Sequence, residues 1–150
     1  MSEYIWRKSN YKIMTGKWGI AILLEAGYQM ASLAKNNSQY IKLTDQIYFH
    51  SMLLPYPESE TLLAEELVFF YNGLRLISKY ISTCIPEDSS LIIALRQIQF
   101  SDCNIQNEAF TACAIQWASE TFQFPMPNIT AYFDEGKSSH GMYVYNFSDV

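Results

Sequence analysis

Apolar side chains recur at helical spacing between Glu58 and Thr83. Their positions step by about four, three, four, three and four residues, so they form one stripe of an α-helix that must face a core: Leu63, Leu67, Phe70, Leu74, Ile77 and Ile81. Glutamates crowd the first turns and basic residues lie toward the other end, an order that the helix dipole favours. The pattern predicts one long amphipathic helix.

Two further segments are predicted to be helical. Residues 15–35 begin at a potential cap, Thr15, and carry apolar residues at approximately helical spacing, although two glycines weaken the pattern. Asn104 can cap a later helix that runs to about Phe122. The small residues of that later helix favour close packing on a sheet.

Alternation of apolar and polar residues predicts four strands, at residues 41–54, 91–101, 128–134 and 142–147. In the second strand four apolar residues are expected to share one face, which Arg96 interrupts: Ile92, Ala94, Ile98 and Phe100. The resulting order α-β-α-β-α-β-β predicts a single-domain α+β fold, with helices on one face of a small, mostly antiparallel sheet. Its C-terminal part is a β-α-β-β unit.

Composition narrows the class of protein. With 150 residues, 49% hydrophobic and 17% charged, the chain has enough apolar surface for one folded domain. The amino terminus lacks the features of an export signal, and the most apolar window, residues 19–30, is too short to span a bilayer. The three cysteines are odd in number, and their spacing fits neither a disulfide framework nor a zinc site. We therefore expect a cytoplasmic protein.

Charge is distributed unevenly along the chain. Residues 1–42 hold six basic and two acidic residues, a net charge of +4, whereas residues 43–150 hold four basic and thirteen acidic residues, a net charge of −9. Such an acidic majority should repel nucleic acid and membrane phosphates and attract a basic protein surface. A surface that only serves solubility is the alternative.

A search for catalytic chemistry finds no metal or nucleotide motif, so we expect no cofactor and no metal. Any histidine-based mechanism must use His50 or His140. A nucleophile pair of Cys103 with either histidine, oriented by Asp102, has no local signature to support it. The sequence therefore favours a binding protein over an enzyme.

The basic first third interleaves aromatic and cationic residues, a composition typical of stacking platforms for single-stranded nucleic acid: Tyr4, Trp6, Arg7, Lys8, Tyr11, Lys12, Lys17 and Trp18. The acidic remainder would oppose the approach of a polyanion, and ion pairing between the two regions is the simpler explanation of the asymmetry. The expected partner is accordingly a protein, with no nucleic acid and no membrane.

The segment from Ile115 to Pro127, entering the hairpin from Ile129 to Phe147, resembles immunity proteins of bacterial polymorphic toxin and contact-dependent inhibition systems. The resemblance implies a protein that binds and blocks a cognate toxin domain; it assigns no residues. A basic toxin would be met first by acidic groups and aromatic anchors: Glu58, Glu60, Glu65, Glu66, Tyr132, Asp134, Glu135, Tyr143 and Tyr145. An alternative partner mode is β-addition at the C-terminal strands.

Two other functions stay open at this point. A secretion chaperone is also a small acidic protein, and it would hold an effector segment, usually as a homodimer. A small enzyme with an unfamiliar site is the remaining alternative.

Overall fold

The computed structural model describes residues 3–32, 40–53, 62, 64–101 and 103–150. The strands of the main sheet are β1 (Ile5–Ile13), β2 (Ile20–Ser32), β3 (Ile41–Lys42), β4 (Ile47–Ser51) and β5 (Ser89–Phe100). The helices are α1 (Ala64–Leu76), α2 (Ser78–Ser82) and α3 (Asn107–Phe122), and a separate hairpin consists of β6 (Thr130–Asp134) and β7 (Met142–Asn146). The predicted α+β class and the C-terminal β-α-β-β order are confirmed.

The main sheet has the strand order β1-β2-β5-β4-β3. All its pairings are antiparallel except that of β4 with β5, which is parallel. A parallel pair needs a long crossover connection, and the segment that contains α1 and α2 supplies it. The sheet is thus mostly antiparallel, and β5 lies at its centre.

The helix predicted for residues 15–35 is wrong, because Ile20 to Ser32 form β2 and pair with β1 through a short turn. Buried residues alternate along β2 at Ile20, Ile22 and Leu24, which is the period of a strand. Thr15 therefore caps no helix. Strand β1, for which the sequence pattern gave no element, forms the sheet edge.

The register of β2 and β5 shifts at Glu25 and Ala26. The shift changes which side chains of β5 face the helices, because one extra residue reverses the alternation. Ile98 therefore belongs to the core together with Ile93, whereas Ile92 lies on the opposite face. The prediction that Ile92, Ala94, Ile98 and Phe100 share a face is wrong for this reason.

The strand predicted for residues 41–54 is two strands, β3 and β4, joined by a tight turn. The Thr44 side chain accepts hydrogen bonds from the backbone N–H groups of Gln46 and Ile47, which stabilises the turn. Leu43 N–H donates to the Ile47 carbonyl across it. The apolar alternation therefore continues through a reversal of chain direction.

Within the described residues, the helix predicted for residues 58–83 corresponds to α1 and α2, with a break at Ile77, where φ is −108° and ψ is 18°. Residues 58–61 and Leu63 lie outside the described residues. Phe70, Leu74, Ile77 and Ile81 are fully buried, as the spacing predicts. Helix α3 begins at Asn107, three residues after the expected cap, and its N-cap residue makes no side-chain capping bond. Asn104 is thus not the cap.

Helices α1 and α3 cover one face of the main sheet. Helix α3 packs against β1 and β2 and against α1, and the Phe70 ring of α1 contacts Phe49 of β4. The fully buried Trp117 anchors α3 to the edge strand, since its Nε1 donates to the Arg7 carbonyl at 3.1 Å. Among the described helices, none is long and apolar enough to cross a membrane.

Candidate functional site: a cleft between a helix start and a hairpin

A cleft of about 500 Å³ lies between the residues before α3 and the turn that joins β6 to β7. Trp18 comes from the β1–β2 turn, and residues 103–106 precede α3. Ser138, His140 and Gly141 belong to the turn of the hairpin, and Met142 begins β7. Three chain segments that are far apart in sequence therefore meet at one depression. A concave site of this size, with apolar walls and a few polar groups, is where small ligands usually bind.

Gln106 and Tyr143 hold the two sides of the cleft together. The Gln106 side chain accepts from Tyr143 N–H at 2.6 Å and donates to the Tyr143 carbonyl at 2.8 Å. The Tyr143 hydroxyl donates to the Trp18 carbonyl at 2.5 Å and accepts from Gly16 N–H at 3.1 Å. These bonds tie the hairpin to both α3 and the β1–β2 turn.

The turn between β6 and β7 packs against Phe133 of β6. Gly141 has a φ of 75°, and a Cβ there would lie 2.5 Å from Phe133 Cζ, so a glycine is required at this position. Trp18 meets Phe133 and Tyr143 edge to face, and its Nε1 donates to the His140 carbonyl at 3.0 Å. These contacts hold Trp18 and the hairpin turn in fixed positions on one wall of the cleft.

The cleft brings Cys103 and His140 to one site, and both residues are exposed. His50 lies elsewhere, on β4, where its ring meets Tyr40 edge to face. In the part of the chain that the structure describes, no hydrogen bond joins Cys103 to His140, and no three His, Cys, Asp or Glu residues are grouped as metal ligands. Asp102, the expected orienting carboxylate, lies outside the described residues.

The predicted acidic contact residues lie on two elements. Glu65 and Glu66 belong to the first turn of α1, where the helix dipole favours anions. Asp134 ends β6 and Glu135 follows it, with the Glu135 carboxylate 3.6 Å from the Lys17 ammonium in an exposed pair. Glu58 and Glu60 lie outside the described residues.

The three predicted tyrosine anchors have different environments. Tyr132 is 60% exposed, whereas Tyr143 is 1% exposed, so Tyr143 cannot serve as an anchor on this surface. Tyr145 is half-buried, and its hydroxyl bonds that of Tyr11 at 2.9 Å. Burial, the bond to Tyr11 and nearby acidic groups raise the pKa of Tyr145. Only Tyr132 has the exposure that an aromatic anchor needs.

A second depression, which we call the α1–α3 pocket, measures about 440 Å³ and is lined by Phe69, Asn72, Arg75, Leu76, Glu108, Thr111 and Phe147. The outer stripe of α1 leads to it: Glu65, Val68, Asn72 and Leu76 follow one another at three- and four-residue steps. Val68 is 36% and Leu76 45% exposed. An acidic helix start is thus followed by exposed apolar side chains and an apolar pocket.

Sequence patterns missed both depressions, because their walls come from distant segments. Trp18, Gln106 and Gly141 share no spacing that indicates a common site. Leu76 carried a weak signal, since it lies off the predicted core stripe of an amphipathic helix and is apolar.

The chain matches no family model, and neither the curated proteins nor the solved structures include a significantly similar one.

Proposed function

We propose that the chain is a cytoplasmic binding protein that neutralises a basic, nuclease-like toxin domain by covering its active site or substrate groove. The observation that carries the proposal is the outer stripe of α1. Its acidic residue, Glu65, and its exposed apolar side chains, Val68 and Leu76, lie on one face of the helix, next to the α1–α3 pocket. This combination is suited to a protein interface, where apolar anchors in pockets supply most of the affinity.

Charge supports the same proposal. The net charge of −5 favours encounter with a cationic partner, and Glu65 in the first turn of α1 is exposed. Arg75, the cation beside the pocket, is held by the Asn72 side chain and by the carbonyls of Lys42 and Leu43. Arg75 lies near the other end of α1, about 15 Å along the helix axis from Glu65.

The exposed end of the β6–β7 hairpin is the second proposed contact. Tyr132 and Asp134 lie on the same side of β6, since residues two apart in a strand share a face. Glu135 follows in the turn, where its ion pair with Lys17 is exposed and therefore weak. A cationic partner can displace that pair at little cost.

Co-expression with the toxin-like product of a neighbouring gene tests the proposal. We expect the chain to restore growth and to form a stable complex with that product. The variant Glu65→Lys/Glu66→Lys/Leu76→Glu should lose both effects, whereas Glu87→Lys/Asp88→Lys, in the turn before β5, should keep them. Failure of the unaltered chain to bind or protect would refute the function.

The cleft favours a second candidate function, an enzyme that uses Cys103 as a nucleophile and His140 as its base. The observation in favour is that both line one depression. Alkylation by iodoacetamide tests it, with the exposed Cys84 as an internal control. A base acting on Cys103 should make it react faster than Cys84 near neutral pH, and His140→Ala should remove the difference. Equal rates in the unaltered chain would exclude this candidate.

A further inference from the structure

The face of the main sheet opposite the helices has its own charge. Side chains of β1 alternate between the two faces: Ser9 bonds Glu120 of α3, whereas Lys8 points the other way. Strands β1, β2 and β5 place three cations on this face, Lys8, Lys12 and Arg96, and a single acid, Glu25. We call the part of this face that carries Tyr4, Trp6, Lys8, Asn10, Lys12, Leu23, Glu25, Arg96, Gln97 and Gln99 the outer sheet face.

The single acid of the outer sheet face is already neutralised. Glu25 accepts from Arg96 at 2.9 and 3.1 Å, and its side chain is only 16% exposed. Lys8 and Lys12 are exposed, and within the described residues neither forms a salt bridge. The accessible charge of this face is therefore positive, although the chain as a whole is acidic.

The aromatic residues of the outer sheet face have defined positions. Trp6 lies opposite Gly27, where a Cβ would approach its ring to 2.6 Å, so the ring rests directly on β2. Tyr4 stacks on Trp6 with ring centroids 5.1 Å apart and an interplanar angle of 30°. The Arg96 guanidinium lies 3.9 Å from the centre of the Trp6 ring. The result is a half-exposed aromatic stack beside two free lysines.

We propose that the outer sheet face binds single-stranded nucleic acid, a function that goes beyond the proposed toxin neutralisation. Bases stack on aromatic rings while lysines contact phosphates, and this combination needs no particular base sequence. The two exposed lysines, Lys8 and Lys12, favour nucleic acid over protein as the ligand of the outer sheet face, because protein–protein interfaces are depleted in lysine. Asn10, Gln97 and Gln99 add amide groups that hydrogen-bond base edges.

The proposal departs from the expectation, based on the charge of the chain, that nucleic acid is repelled. That expectation was based on the net charge of the chain, whereas the fold places acidic and basic residues on opposite sides of the sheet. The acids Glu65 and Glu66 lie on α1, on the helix side of the sheet, while Lys8 and Lys12 lie on the other side. At a Debye length of about 8 Å, charges on the far side of the sheet are largely screened.

Fluorescence anisotropy with labelled oligothymidylate and oligouridylate of about twelve nucleotides tests the proposal. We expect saturable binding at low ionic strength that weakens as salt is added. Trp6→Ala should weaken it about 5- to 150-fold, the loss expected for one stacked base, because Tyr4 and Arg96 lose the ring that positions them. Trp6→Phe should bind more tightly than Trp6→Ala. Lys79→Ser, at an exposed position of α2 on the helix side of the sheet, should change the affinity little.

A second variant keeps the test decisive if Trp6→Ala does not fold. Lys8→Ser/Lys12→Ser should lower the slope of log affinity against log salt by about 0.7 for each lysine removed. Absence of binding by the unaltered chain would overturn the proposal. So would equal binding of heparin with no effect of Trp6 variants, because heparin has no bases. Loss of toxin binding in Trp6→Ala, without oligonucleotide binding, would assign the face to a protein interface instead.

Discussion

Gln106 pairs with both backbone groups of Tyr143, although 37 residues separate them. The side-chain amide occupies the place that a neighbouring strand would take beside β7, and it fixes the hairpin against the start of α3. Tyr143 is 1% exposed, so its backbone groups have little access to water. Gln106 is therefore one of the residues that fix the position of the hairpin, together with Trp18, whose indole donates to the His140 carbonyl.

Gln106→Ala should lower the free energy of unfolding by about 2–6 kcal/mol, since it leaves two buried backbone groups without a partner and each costs about 1–3 kcal/mol. Urea denaturation measures this change. Gln99→Ala, on an exposed position of β5, is the matched control and should stay within about 0.5 kcal/mol of the unaltered chain. Equal effects of the two substitutions would mean that the Gln106 bonds contribute no stability.

Gly73→Ala should destabilise the contact between α1 and α3. A Cβ at Gly73 would lie 2.6 Å from the Thr111 carbonyl oxygen, so the helices would have to move apart. We expect a loss of about 1–3 kcal/mol by overpacking, measured by thermal unfolding. Gly136→Ala is the control, because its nearest neighbour, an Asp134 carboxylate oxygen, lies at an ordinary 3.4 Å. Similar melting temperatures for both variants would contradict the close helix approach.

The three thiols should differ sharply in reactivity. Cys84 and Cys103 are exposed, whereas Cys113 is buried and its Sγ donates to the Phe110 carbonyl. Burial raises the pKa of Cys113, which suppresses the reactive thiolate further. A disulfide reagent should therefore label two thiols of the native protein and the third only after unfolding. Rapid labelling of Cys113 in the native state would show that the α3 core opens readily.

The sequence predicted elements best where one face is buried along a whole segment. The stripe of Phe70, Leu74 and Ile81 is of this kind, because local periodicity follows burial there. Strand β5 was predicted as an element but not its faces, because it is buried on both faces over residues 90–95 and its alternation reverses at the register shift. Strand β2 was predicted to be a helix. Its residues are determined by pairing with both β1 and β5, and Gly27 is there because the Trp6 ring packs on it. Packing between distant segments overrode a weak helical spacing.

The candidate sites were harder to predict than the fold. The sequence identified Cys103, His140, Glu65 and Tyr132 as individual residues, but nothing along the chain indicates which of them meet. Cys103 and His140 share a cleft because several contacts, among them the Gln106 bonds, hold the hairpin against the start of α3. Contacts between residues so far apart in sequence depend on how the strands and helices are arranged in the whole fold, which local patterns do not determine.

Acidification should destabilise the protein through His50. Burial lowers the pKa of His50 below its ordinary value of 6.5, so below that pH the unfolded chain binds the proton first. Stability should fall as pH decreases from 6.5 toward the folded-state pKa and should gain nothing from His50 above that window. Melting temperatures of the unaltered chain and of His50→Gln measure this. If His50→Gln keeps the full pH dependence, another group causes it.

Association with a cationic toxin domain should be fast at low salt and should slow as salt is added, because the net charge of −5 steers the encounter. Glu65→Lys/Glu66→Lys should reduce the association rate constant at low salt and flatten its salt dependence, with a smaller change in the dissociation rate. Stopped-flow mixing measures both rates. Glu87→Lys/Asp88→Lys alters the net charge equally at another exposed site. If this control slows association as strongly, total charge drives the encounter and the start of α1 is not the point of contact.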